Sequence, residues 1–176
     1  MENQYFIGIV PPENIFNDID RFRKKWLTQI NSEPHITLKA QGGLTSDKKW
    51  IEQVKSVCRN FDPFPLTLEE PSYFSDNILY LSVQSSSLHD LHEKLVHAIS
   101  PPANSIKQYF ELNDFVPHLT LGKKQFGLTK RELQHMEESA RKELTPFDSF
   151  DVTYIRIYER FPSDPVYKKL VDVPLG

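Results

Sequence analysis

The amino-acid sequence predicts an α+β protein. Its two pseudo-symmetric lobes would be built of mixed or antiparallel sheet, with helices on the outside and a central cleft. Three observations predict this. Helical stripes alternate with short β-rich runs along all 176 residues. The strand runs late in each half come as hairpin-like pairs, which favours antiparallel pairing over parallel crossovers. The chain also repeats itself: His118 follows His35 by 83 residues, and Thr120 follows Thr37 by the same offset.

The elements follow in order. Tyr5 to Val10 alternates as a strand, and Pro11-Pro12-Glu13 opens a helix. Ile15, Ile19, Phe22, Trp26 and Ile30 give that helix one apolar face. A strand through His35 and Thr37 ends at Gly42-Gly43, and a second helix carries Trp50/Ile51, Val54, Val57/Cys58 and Phe61 inward. Strands are expected around Leu66–Glu69 and Ile78–Val83, then a third helix from Ser87 with Leu88, Leu91, Leu95 and Ile99 inside. Residues 101–115 read as a polar, proline-led functional loop. The second His-Thr strand comes next. A helix over about 130–144 is opened by Thr129 and Glu132 in capping-box positions. Strands near Val152–Glu159 and Tyr167–Val173 finish the chain.

The offset also carries Pro34 onto Pro117 and Asp62-Pro63-Phe64 onto Thr145-Pro146-Phe147. Two copies are too few for a solenoid. The expectation is a single bilobal domain over 1–176 whose halves meet around 101–116. A pseudo-twofold axis would then bring both His-Thr strands to one cleft.

Composition narrows the partners. A formal charge of −3 argues against a broad basic surface, so no long duplex nucleic acid is expected. No apolar stretch has the length of a membrane span, and the first residues lack a signal-peptide layout. Cys58 is the single cysteine, so an internal disulfide or thiolate metal cluster is excluded and a reducing cytoplasm is expected. A monomer is the expected state.

The chemistry lies in Pro34-His35-Ile36-Thr37-Leu38 and Pro117-His118-Leu119-Thr120-Leu121. In a strand, residues two apart share a face, so each imidazole projects with a hydroxyl while the apolar residues anchor the other side. Two such pairs facing each other supply a base for attacking water, an acid for a departing oxygen, and hydroxyls for phosphoryl oxygens. No carboxylate stands within either motif. Phosphodiester hydrolysis with no cofactor and no metal is the expected chemistry.

The paired motifs resemble those of the 2H phosphoesterase superfamily. Within it the chain looks most like the bacterial 2′-5′ RNA ligase-like and cyclic phosphodiesterase group, and the likeness spans essentially the whole chain. The resemblance implies His35 and His118 as catalytic residues and Thr37 and Thr120 as phosphate-binding ones. It implies hydrolysis of a 2′,3′-cyclic phosphate or 2′-5′ linkage on a small nucleotide or RNA terminus, with His118 as base and His35 as acid. Ligation of 2′-5′ RNA ends, or binding of nucleotide or RNA ends without turnover, are the alternative readings.

Other residues are weighed against ordinary structural roles. Lys39 and Lys124 share the parity of the motif residues, so either could contact a flanking phosphate or simply be solvated. Tyr73, Phe74 and Tyr158 could stack on a base or serve the core. His89, His92 and His97 lie on the third helix, where His89, Glu93 and His97 share a face that reads as solvated rather than metal-binding. His135 is expected at the surface, and Cys58 is expected to be packed.

Overall fold

In the computed structural model, which describes residues 2–176, eight strands form two four-stranded sheets whose neighbours all pair antiparallel. In chain order the elements are β1 (Gln4–Ile9), α1 (Glu13–Trp26), β2 (Ile36–Lys39), α2 (Trp50–Arg59), β3 (Phe64–Phe74) and β4 (Ile78–Gln84). These are followed by α3 (Leu88–Ile99), α4 (Ala103–Gln108) and β5 (His118–Lys123). The chain ends with α5 (Lys130–Glu143), β6 (Phe150–Val152), β7 (Tyr154–Arg160) and β8 (Lys168–Pro174). The strand orders are β2-β1-β7-β8 and β5-β4-β3-β6. The α+β class and the antiparallel sheets match the expectation.

The sheets do not coincide with halves of the sequence. Each His-Thr strand is the edge of a sheet whose long hairpin comes from the other half: β2 joins β7 and β8 through β1, and β5 joins β4 and β3. The two edge strands then lie against each other.

Local chemistry sets the helices. Helix α1 follows Pro12 and buries Ile15, Ile19 and Phe22, then stops at Leu27, whose backbone is extended. Ile30 therefore falls beyond the helix it was expected to extend. Helix α5 is opened by a full capping box. The Thr129 hydroxyl accepts from the Glu132 N–H at 3.1 Å, and the Glu132 carboxylate accepts from the Thr129 N–H at 3.0 Å. Cys58 is fully buried in α2, where burial pushes its thiol up to about 12.

The connection expected as a loop over 101–115 is instead ordered as α4 and a 3-10 turn at Leu112–Asp114. Two buried polar contacts dock it on β2. Lys39, which is completely buried, sits 2.9 Å from the Glu111 carboxylate and donates to the carbonyls of Ala40 and Gly42 at 2.7 Å each. His92, buried on α3, donates from Nδ1 to the Leu38 carbonyl at 2.7 Å and accepts from the Leu112 N–H at 2.9 Å. Its ring stacks on Phe115 at 3.8 Å. These contacts hold Phe110 and Leu112 in left-handed backbone (φ 54° and 60°), which non-glycine residues rarely adopt. His92 thus departs from the solvated reading, whereas His89, Glu93, His97 and His135 are exposed.

Removing one member of the Lys39–Glu111 pair leaves an uncompensated buried charge. Lys39→Met is expected to lower stability by roughly 3–5 kcal/mol in urea unfolding, and Lys39→Met/Glu111→Leu to recover most of the loss. Equal stability of the single variant and the parent chain would show that the pair carries no such role.

Candidate active site

The two histidines are held in the same way. Pro34 and Pro117 disfavour helical backbone at the residues before them, and the carbonyls of Glu33 and Val116 meet the rings two residues on. Nδ1 of His35 lies 2.7 Å from the Glu33 carbonyl, and Nδ1 of His118 lies 2.9 Å from the Val116 carbonyl. A carbonyl only accepts, so each ring carries its proton on Nδ1 and keeps the Nε2 lone pair free. Nε2 of His35 meets the Thr37 hydroxyl at 3.2 Å.

Aromatic rings fix the imidazoles from behind. Phe6 lies 4.6 Å from His35 and stacks on Tyr158 at 4.5 Å. Phe74 meets His118 edge-on at 4.8 Å and packs on Tyr80. Gly8 permits this crowding, because a Cβ there would stand 3.2 Å from both the Ile36 carbonyl and the Tyr158 ring. Glu33 is itself anchored: its carboxylate accepts from Arg156 at 2.7 Å and from the Tyr158 hydroxyl at 2.8 Å. Arg156 also grips Asp172 through two donors, and these carboxylate bonds raise its pKa above the usual guanidinium range.

His35, Thr37, His118 and Thr120 all line one cavity of about 430 Å³ between the sheets. Arg23 and Lys123 line it too, and no Asp or Glu does among the described residues. The cavity is therefore chemically suited to an anion of nucleotide size. Burial drives both imidazoles toward the neutral form, His35 down to about 4. The carbonyl bonds oppose that shift, while Arg23 deepens it at His35 and Lys123 deepens it at His118.

The other candidates do not line this cavity. A register irregularity follows the threonine in each motif strand: Thr37 and Lys39 face Gly8 and Ile7, while Thr120 and Gly122 face Tyr80 and Leu79. One residue of each motif strand, Leu38 or Leu121, is thus extra, as in a β-bulge. The bulge reverses the parity of everything after it. Lys39 turns inward to Glu111, Lys124 points to solvent, and Lys123 takes the cleft-facing position instead. Tyr73 donates its hydroxyl to the Leu133 carbonyl at 3.2 Å. Tyr158 is completely buried behind Phe6 and His35, and Phe74 backs His118 rather than offering a face to a base.

Arg23 and Lys123 are the residues that sequence reasoning missed. Arg23 carries a charge at a position on the apolar stripe of α1, four residues after Ile19 and three before Trp26, which is the signal that could have found it, and Lys123 is concealed by the bulge. Tyr109, on the connection between α4 and β5, also reaches the cavity.

Known proteins share the sequence pattern and the fold of this chain. The sequence model of the 2′-5′ RNA ligase superfamily matches residues 11–161. An RNA 2′,3′-cyclic phosphodiesterase of Methanocaldococcus jannaschii is 22% identical over 174 residues, covering 93% of this chain and 95% of that protein. Among solved structures, the Thermus thermophilus protein TT0787 superposes with a TM-score of 0.64 at 16% identity, covering 98% of this chain and 97% of the other. E. coli LigT complexed with 3′-AMP gives a TM-score of 0.64 at 17% identity, covering 100% and 99%. The chain belongs to the 2′-5′ RNA ligase superfamily, whose members are 2H phosphoesterases. It is an enzyme of the phosphodiesterase class.

The buried histidines link stability to pH. Burial holds both His35 and His92 down to about 4, against about 6.5 in an unfolded chain. The unfolded state therefore binds more protons below about pH 6.5, and stability falls as pH drops from there toward 4. His92→Gln is expected to lower stability at pH 7 and to flatten part of that slope, read from urea midpoints between pH 7.5 and 4.5. An unchanged slope would remove His92 from the linkage.

Proposed function

We propose that this chain hydrolyses a 2′,3′-cyclic phosphate or a 2′-5′ phosphodiester on a small nucleotide or RNA terminus, without a metal ion, by acid–base catalysis between His35 and His118. One observation carries the reading: two imidazoles with the same Nδ1–H tautomer face one cavity that also holds two hydroxyls and two cations. Cyclic phosphodiesterase activity is also what the name of the Methanocaldococcus relative states for that protein.

In this mechanism Nε2 of His118 takes the proton of an attacking water as its oxygen bonds to phosphorus. The bond from phosphorus to the 2′ or 3′ ribose oxygen breaks, and that oxygen receives the proton from Nε2 of His35. Hydrolysis of a cyclic phosphate thus opens the ring to a monoester. The Nε2 lone pair of His118 has no hydrogen-bond partner in the described structure, which suits a base. Nε2 of His35 rests on the Thr37 hydroxyl. His35 must gain a proton before it can act. A phosphate anion beside it supplies the opposite charge that favours the imidazolium. Thr37 and Thr120 then donate to the nonbridging oxygens, where charge accumulates.

Among the described residues the cavity lining offers two cations and no carboxylate, which supports metal-independent chemistry, because a divalent ion would find like charges and no hard anionic ligands there. The buried single cysteine is compatible with a reducing cytoplasm as the working compartment.

His35→Ala and His118→Ala are each expected to cut turnover of a 2′,3′-cyclic nucleotide by at least about a hundredfold while the chain stays folded. EDTA is expected to leave the parent rate unchanged. Full activity in either alanine variant would end the two-histidine mechanism, and strict dependence on added metal would end the metal-independent one. Binding of cyclic nucleotides and 2′-5′ dinucleotides with no turnover would instead make the chain a binding module.

A further inference from the structure

Among the charged groups near the cleft, Arg23 stands apart. It lies on α1, is 4% exposed, and still lines the cavity that holds His35 and His118. One of its donors, on Nη2, reaches the Ser32 carbonyl at 2.9 Å, and its buried Nε has no partner. The other deeply buried cation near the cleft, Lys39, is neutralised by Glu111. Arg23 forms no ion pair with any carboxylate among the described residues. Asp20, one turn earlier on the same helix, pairs with Lys24 at 2.8 Å.

Asp20 offsets the charge of Arg23 only from a distance, and a buried guanidinium with an idle donor and no direct ion pair is costly unless something completes it. In an open cavity lined by two imidazoles, that partner is an anion from solution. Arg23 also acts electrostatically on His35, which puts its field close to the reacting centre. Its planar fork matches the geometry of phosphate oxygens.

We propose that Arg23 is a substrate-binding residue that receives a phosphate group of the nucleotide through its free N–H donors, on the α1 side of the cleft. The Ser32 carbonyl fixes one end of the guanidinium and so aims the remaining donors. The phosphate has two possible sources on a nucleotide or RNA end: the scissile group, or the phosphodiester that precedes it in the chain. This inference deepens the hydrolytic reading and rests on it for the identity of the substrate, but not for the existence of the anion site.

The test compares the parent chain with Arg23→Gln and Arg23→Lys. Inorganic phosphate and a nucleoside 3′-monophosphate are titrated calorimetrically. Arg23→Gln is expected to weaken both by about tenfold or more, and Arg23→Lys, which keeps the charge without the fork, by a smaller factor. Unchanged affinity in Arg23→Gln, with a thermal transition showing a folded chain, would overturn the proposal. If the glutamine variant does not fold, unchanged affinity in Arg23→Lys would do so, because the bidentate fork is what the proposal requires.

Kinetics then distinguish the sources. A drop in kcat/KM for a 2′,3′-cyclic mononucleotide places Arg23 on the scissile phosphate. A drop confined to a dinucleotide ending in a cyclic phosphate places it on the preceding phosphodiester. No drop for either substrate would overturn the proposal. A parent chain that binds phosphate through Arg23 yet turns over neither substrate would sink the hydrolytic reading and leave the anion site standing.

Discussion

Two backbone carbonyls govern the chemistry of this cleft. By accepting from Nδ1, Glu33 and Val116 decide which nitrogen of each imidazole remains available, and they keep each ring from rotating. Both bonds depend on the proline between carbonyl and histidine, because a helical residue at 33 or 116 would turn the oxygen away. The repeat seen in the letters of the sequence therefore recurs as a repeat of hydrogen bonds. Around it the fold adds fixed surroundings: Phe6 and Tyr158 behind one ring, Phe74 and Tyr80 behind the other, and Arg156 and Asp172 holding Glu33.

The sheets bring these two constellations together by exchange. Each motif strand sits at the edge of a sheet whose long hairpin belongs to the other half of the chain. Neither half can complete its own sheet, so the cleft forms only when the whole chain folds. The bulge after each threonine contributes in a second way. It directs Leu38 and Lys39, and likewise Leu121 and Gly122, into the interior, which pins the strand from below while His and Thr stay at the surface of the cleft. His92 closes on the Leu38 carbonyl there, and Lys39 holds Glu111, so the connection carrying Tyr109 is anchored to the motif strand.

Much of this was legible in the sequence, and what was not has physical causes. The helices were readable because their apolar stripes keep a constant period, and the capping box at Thr129 and Glu132 marks the start of α5 without ambiguity. The cavity-lining histidines and threonines were readable because strand alternation holds across three residues. Beyond Thr37 and Thr120 alternation fails at the bulge, so the parity that offers Lys39 and Lys124 to a phosphate does not hold: Lys39 is buried on Glu111, Lys124 is solvated, and Lys123 lines the cleft. Arg23 was hidden for a different reason. It stands four residues after Ile19 and three before Trp26, on the apolar stripe of α1, but its charge makes it look like the solvated lysines that follow. The exchange of strands between sheets leaves no local trace either, since it arises from long-range pairing.

The central claim is that both imidazoles address a single phosphorus. A crystal structure of the chain with inorganic phosphate or vanadate in the cleft tests it most directly. The account predicts one anion with Nε2 of His35 and Nε2 of His118 each within hydrogen-bond distance of its oxygens, on opposite sides. An anion bound to one ring alone, or rings turned so that Nδ1 faces the ligand, would contradict it.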